Sequence, residues 1–124
     1  MSDASNLLQR LIEESPGISR SEAGLAASTA ATLKAVADPA RLRILAILAS
    51  SNGPLAVSRI VPLMGLSQPT ISHHLRILHE AGLVDREKQG VWMLHTLDRD
   101  RLRMLADMIG QLAGRQSAKR SSRK

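Results

Sequence analysis

The chain has 124 residues, enough for one domain with a modest core and too few for two. It contains no Phe, Tyr or Cys and one Trp, so the core must come from Leu, Ile, Val, Ala and Met. That favours packed helices and excludes disulfides, thiolate metal sites and thiol redox chemistry. The formal charge is +6, but five bases and no acid fall in the last ten residues, leaving 12 basic against 11 acidic residues in 1–114, so charge by itself does not mark the body of the chain as a nucleic-acid binder.

The N-terminus lacks the basic-then-apolar layout of a signal peptide, and no apolar run nears the ~20 residues of a membrane span, so a cytoplasmic protein is expected. Residues 1–15 read as a short amphipathic helix with Leu7, Leu8, Leu11 and Ile12 at helical spacing, stopped by Ser15-Pro16-Gly17. An Ala-rich stretch from Ser21 to Ala37 follows, with Leu25, Leu33 and Val36 as its larger apolar groups. Asp38-Pro39 starts a further helix, Asp38 as cap and Pro39 in the first turn, with Leu42, Leu45, Ile47 and Leu48 expected on its buried side. The run from Ser50 to Pro54 ends it.

Leu55 to Val57 reads as a short strand, and Ser58 to Met64 as a short helix ended by Gly65, in which Pro62 is awkward beyond the first turn. Gln68 to Ala81 is the best-marked helix, capped by Ser67, tolerant of Pro69 in its first turn, and closed by Gly82. Two extended runs, Leu83–Glu87 and Val91–Thr96, flank Lys88-Gln89-Gly90 and predict a β-hairpin. Asp98 caps a last helix to about Ala113, with Leu102, Leu105, Ile109 and Leu112 recurring every three or four residues. The basic end, Arg115 to Lys124, either adds non-specific attraction for phosphate or is a solvated, disordered tail.

Residues 58–81 satisfy the needs of a helix-turn-helix: a bracing helix, a tight turn, and a second helix apolar on one side and polar on the other. Ile71, Leu75 and Leu78 are spaced to bury, while Gln68, Thr70, Ser72, His73 and Arg76 lie opposite. These groups suit base edges and phosphates: Gln68 offers an amide to adenine, Arg76 a guanidinium to guanine or phosphate, and the helix start with Ser67 favours a nearby phosphate. His73 points with Ser72 toward DNA, and His74, beside Ile71 and Leu75, is expected to be a hydrogen-bonded structural histidine. The hairpin supplies a wing whose Arg86 and Lys88 reach phosphate or the minor groove. The predicted fold is therefore mainly α with a small β-hairpin wing: a winged helix-turn-helix over 21–114, preceded by an extra helix and linker at 1–20 and followed by the tail at 115–124.

Three segments also carry a family resemblance. Asp38-Pro39-Ala40-Arg41-Leu42-Arg43-Ile44-Leu45, then Gly65-Leu66-Ser67-Gln68-Pro69-Thr70-Ile71-Ser72-His73-His74-Leu75, then Ala81-Gly82-Leu83-Val84 resemble the ArsR/SmtB family of bacterial repressors, in order and spacing, from about Leu25 to Leu112. The resemblance implies a homodimer on a near-palindromic operator, with the second helix in the major groove. It also implies a dimer interface from the first and last helices of the domain, here Leu25, Leu33, Leu102, Leu105 and Ile109.

It further implies release by an effector, often a metal ion. Where the soft-metal sensors of the family carry their thiolate motif, this chain has Ala56 and Ser58, which excludes that site. For nickel or zinc, Asp98 and Asp100 match the first two ligand positions on the last helix, while the later pair falls on Gln111 and Gly114. His95 or N-terminal residues would have to complete the set, and Asp98 has a competing role as helix cap. An organic effector, a signalling partner protein, constitutive binding and activation in place of repression stay open. A protein-binding winged helix is disfavoured by the polar face of the second helix. An enzyme is not expected: there is no Cys nucleophile and no phosphate-cradling loop, and Gly53, Gly65, Gly82 and Gly90 each sit at an element boundary.

Overall fold

The computed structural model describes residues 3–13 and 24–114. The expected helix stop at Ser15-Pro16-Gly17, the linker before Gly24 and the basic tail at 115–124 lie outside the described residues. The elements in chain order are α1 (Asp3–Glu13), α2 (Leu25–Val36), α3 (Pro39–Ser50), β1 (Leu55–Ala56), α4 (Val57–Met64), α5 (Gln68–Glu80), β2 (Val84–Gln89), β3 (Trp92–Leu97) and α6 (Arg99–Leu112). They divide between two compact units, Met1–Ala30 with Leu102–Lys124, and Ala31–Arg101.

The core of the second unit sits among α3, α4, α5 and the sheet. Ile44, Leu45, Leu48, Ile60, Met64, Ile71, Leu75, Leu78, Leu83 and Val84 are all buried there, an aliphatic interior as the lack of Phe and Tyr requires. Asp38 is extended and its carboxylate accepts from the Arg41 N–H at 3.1 Å, with Pro39 in the first turn of α3. That bond is the main cause of its carboxyl titrating below the ordinary 3.8. The buried stripe of α3 is displaced from expectation: Leu42 is 51% exposed, whereas Ile44 is fully buried. Apolar residues spread around much of this helix, so periodicity does not choose the inner face. Arg41 helps to choose it, donating through Nε to the Ala35 carbonyl and through Nη1 to the His74 ring.

Helix α4 begins at Val57, one residue before its expected start, because only Leu55 and Ala56 pair with β3. Pro62 lies past the first turn, on the exposed side. Its missing N–H removes one bond from a helix that ends two residues later at Met64, where Gly65 with φ +73° closes the turn. The sheet has three antiparallel strands in the order β1-β3-β2, so the short strand at 55–56 widens the predicted hairpin. Gln89 pairs with Trp92, leaving Gly90-Val91 as a two-residue loop with Gly90 at φ +63°. The turn therefore sits one to two residues later than Lys88-Gln89-Gly90, at the place where a tight hairpin needs positive φ.

Two arginines close helix ends. Arg43 donates to the Leu63 carbonyl in the last turn of α4 (3.3 Å), and Arg99 to the Ala49 carbonyl in the last turn of α3 (3.0 Å), each placing a cation where a helix presents unpaired acceptors. In the first unit, Met108 of α6 is buried and its sulfur accepts from the Thr29 hydroxyl of α2 at 3.8 Å.

Candidate nucleic-acid interface

Helix α5 is held from below and open above. Ile71, Leu75 and Leu78 have at most 1% exposure, and Gln68, Thr70, Ser72, His73 and Arg76 are all exposed. The 3.6-residue period thus sorts the side chains into a core stripe and a polar edge. At the helix start Ser67 is extended. Its hydroxyl accepts from the Thr70 N–H (3.3 Å) and donates to the Thr70 hydroxyl (2.9 Å). Ser67 is thereby occupied as a cap, while Thr70 keeps a hydroxyl proton to donate outward.

The two histidines part company as expected. His73 is exposed, and its Nδ1 accepts from Arg76 Nη2 at 3.1 Å one turn on, so His73 orients the guanidinium as well as offering its own ring. His74 is half-buried, with Nδ1 3.2 Å from Arg41 Nη1. Arginine can only donate, so this ring nitrogen accepts, and the contact ties α5 to the first turn of α3. Sequence reading places His74 inside but does not find Arg41, whose role depends on a contact 33 residues away.

The wing sorts its charges by strand alternation. Val84 pairs with Leu97, Arg86 with His95 and Lys88 with Met93, whereas Asp85 pairs with Thr96, Glu87 with Leu94 and Gln89 with Trp92. Opposed residues share a face and successive residues alternate. Arg86 and Lys88 therefore extend the face whose inner end, Val84, Leu97 and His95, is buried in the core. Asp85 and Glu87 occupy the other face beside Trp92. Polymeric phosphate meeting the basic face would not meet the acids.

Gly82 follows α5 with φ +81°, and a Cβ there would lie 2.9 Å from the Arg101 guanidinium carbon. The left-handed backbone is what favours glycine there, since the flexible end of Arg101 could move away from a Cβ. His79 donates through Nδ1 to the Val84 carbonyl at 2.9 Å, joining the end of α5 to the root of the wing.

The nickel or zinc candidates are not gathered into a ligand set. His95 is 4% exposed with its Nδ1 at 3.2 Å from the Leu55 carbonyl oxygen, and burial is the main cause holding its ring below the ordinary 6.5. The Asp98 carboxylate accepts from the Arg101 N–H at 3.0 Å as the α6 cap, and Asp100 is exposed in the first turn of α6. Among the described residues no three His, Asp or Glu side chains form a metal-binding group. Within one chain the residues do not fit a nickel or zinc site.

Comparison with known proteins agrees with this geometry. Residues 38–86 match the model of the family described as "Bacterial regulatory protein, arsR family". An uncharacterised HTH-type transcriptional regulator of Methanocaldococcus jannaschii is 42% identical over 79 residues, covering 64% of this chain and 88% of that protein. The arsenical resistance operon repressor of Escherichia coli is 42% identical over 64 residues, 52% of this chain and 54% of the repressor. The solution structure of a homodimeric winged helix-turn-helix DNA-binding domain from Mycobacterium bovis, a possible ArsR-family regulator, superposes with a TM-score of 0.61. It is 31% identical, over 81% of this chain and 90% of that one. A capped, polar-edged second helix, a charge-sorted wing, and relatives from Methanocaldococcus jannaschii and Mycobacterium bovis matched over 88% and 90% of their length lead to one assignment: the chain belongs to the arsR family of bacterial transcriptional regulators, built on a winged helix-turn-helix.

Proposed function

We propose that the protein is an effector-responsive repressor that binds a near-palindromic operator as a homodimer in the cytoplasm and works by binding, without a catalytic step. The observation that carries this reading is the polar edge of α5 standing over three fully buried side chains. Gln68 and Arg76 read base edges in the major groove, Thr70, Ser72 and His73 contact bases or phosphate, and Ser67 sets the helix start. Arg86 and Lys88 meet phosphate beside the groove.

Pairing of two copies through Leu25, Leu33, Leu102, Leu105 and Ile109 would present two such edges to successive turns of the duplex. Leu33 and Ile109 are substantially exposed in the single chain, which suits a surface awaiting a second copy. Repression follows the name of the Escherichia coli relative. The signal we favour is a small organic molecule or a partner protein; a nickel or zinc site would need residues of a second copy, because those described within one chain do not form one.

Footprinting on the flanking promoter region, gel shifts across a salt series and sedimentation analysis test this together. The expected results are protection of an inverted repeat, affinity falling steeply with salt, and a dimer. A monomer, or indifference to every duplex at low ionic strength, would overturn the proposal.

A further inference from the structure

Away from the polar edge of α5, the outer sides of α3 and α4 flank an open groove of about 470 Å³ that also touches β1. Ala46, Ile47, Leu55 and Leu63 provide an apolar lining, and Ser50 and Arg59 supply polar atoms. None of the residues assigned above to DNA contact or to the dimer lines it. Its volume lies within the roughly 300–1,000 Å³ common to small-molecule sites.

The one charged side chain in the lining of the groove is Arg59. Arg59 is exposed, and no hydrogen bond or ion pair of its guanidinium occurs among the described residues. Arg43 is held against the carbonyl of Leu63, a lining residue, and Arg99 against the carbonyl of Ala49, next in the chain to lining Ser50. Both keep their positive charge while satisfying those carbonyls. No acidic residue lines the groove. A neutral apolar ligand would leave the Arg59 guanidinium unused, and a cation would be repelled by it.

We infer that this groove binds a small amphipathic carboxylate, its apolar body against Ile47, Leu55 and Leu63 and its carboxylate paired with Arg59. A carboxylate matches the planar donor pair of a guanidinium, and Ser50 offers a hydroxyl beside it. Because α4 also braces α5, an occupant of the groove touches a helix on which the placement of α5 depends. The inference names a ligand class for the proposed effector, but binding itself requires no DNA.

The test uses sodium decanoate below its micelle concentration, titrated into the full chain by calorimetry and followed by amide NMR shifts. Saturable binding is expected, with shifts centred on Ile47, Ser50, Leu55 and Arg59. Arg59→Gln should weaken it roughly ten-fold or more, the scale of one lost charge-assisted hydrogen bond. Leu63→Gln, at an exposed position whose change leaves the core intact, should weaken it as well. Decyltrimethylammonium, with the same chain and the opposite charge, should bind less tightly than decanoate. Absence of saturable binding, shifts centred elsewhere, or equal binding by wild type and Arg59→Gln would overturn the inference and leave the operator reading standing.

Discussion

Helix α5 and the β2–β3 wing both carry polar groups outward, but they hold them by different means. Along α5 a buried side chain recurs in every turn, at Ile71, Leu75 and Leu78, and the helix is fastened to its neighbours through His74 to Arg41 and His79 to Val84. The wing is anchored at one end only: Val84, His95 and Leu97 are buried, while Val91 at the tip is 88% exposed. Base readout requires donors placed to a fraction of an ångström, whereas attraction to phosphate tolerates displacement. The better-anchored element thus carries the groups suited to specificity, and the cantilevered one carries charge.

The contrast can be broken first by core deletion. Leu78→Ala should lower the unfolding free energy by about 2–5 kcal/mol, read by urea denaturation, and Val91→Ala by no more than about 0.5 kcal/mol. Equal losses would mean the wing is as firmly packed as α5. Next in size, Gln68→Ala and Arg76→Ala should each cost about 1–3 kcal/mol of operator affinity while sparing binding to unrelated duplex. Fluorescence anisotropy on both duplexes checks this, and a loss shared equally between them would place these residues on phosphate. Ser67→Ala removes the α5 cap and should cost about 1 kcal/mol of stability in the same denaturation assay; an unchanged midpoint would show that Thr70 alone holds the first turn.

The root of the wing offers a pH test. Burial, opposed by the bond to Leu55 and reinforced by Arg86 and His79, holds the folded His95 ring below its ordinary 6.5. The unfolded chain therefore takes up this proton first as pH falls, so the stability contribution is complete above about 6.5 and declines below it. Thermal melts between neutral and mildly acid pH should show this decline, and His95→Gln should flatten it; a variant as steep as wild type assigns the slope to other groups.

The smallest effects belong to the wing charges. Arg86→Ala and Lys88→Ala should each reduce the salt dependence of DNA binding by about one phosphate contact. Glu87→Ala, on the opposite face, should leave the salt slope unchanged. A change of slope in Glu87→Ala equal to that of Lys88→Ala would refute the sorting of charge by face.

Much of α5 was legible before any coordinates. A capping serine, a first-turn proline, three aliphatic residues one turn apart and a closing glycine all specify the same helix and the same inner face. The hairpin was legible in kind, but its turn lies later than expected because the positive φ falls at Gly90, with Gln89 still paired to Trp92. Helix α3 was legible in extent and not in orientation. With Leu42, Ile44, Leu45, Ile47 and Leu48 spread around it, packing against α5 and β3 decides which are buried.

Local sequence by itself determined where α3, α5 and α6 start, because Asp38, Ser67 and Asp98 cap them through bonds within a few residues of themselves. It also determined the polar edge of α5, since a strict helical period leaves one face to bury. Only the tertiary structure decided the partner of His74, the third strand on the wing, the arginines closing α3 and α4, and the groove between those helices. Each of these joins residues far apart in the chain, and no local rule specifies which distant carbonyl or ring a side chain will meet.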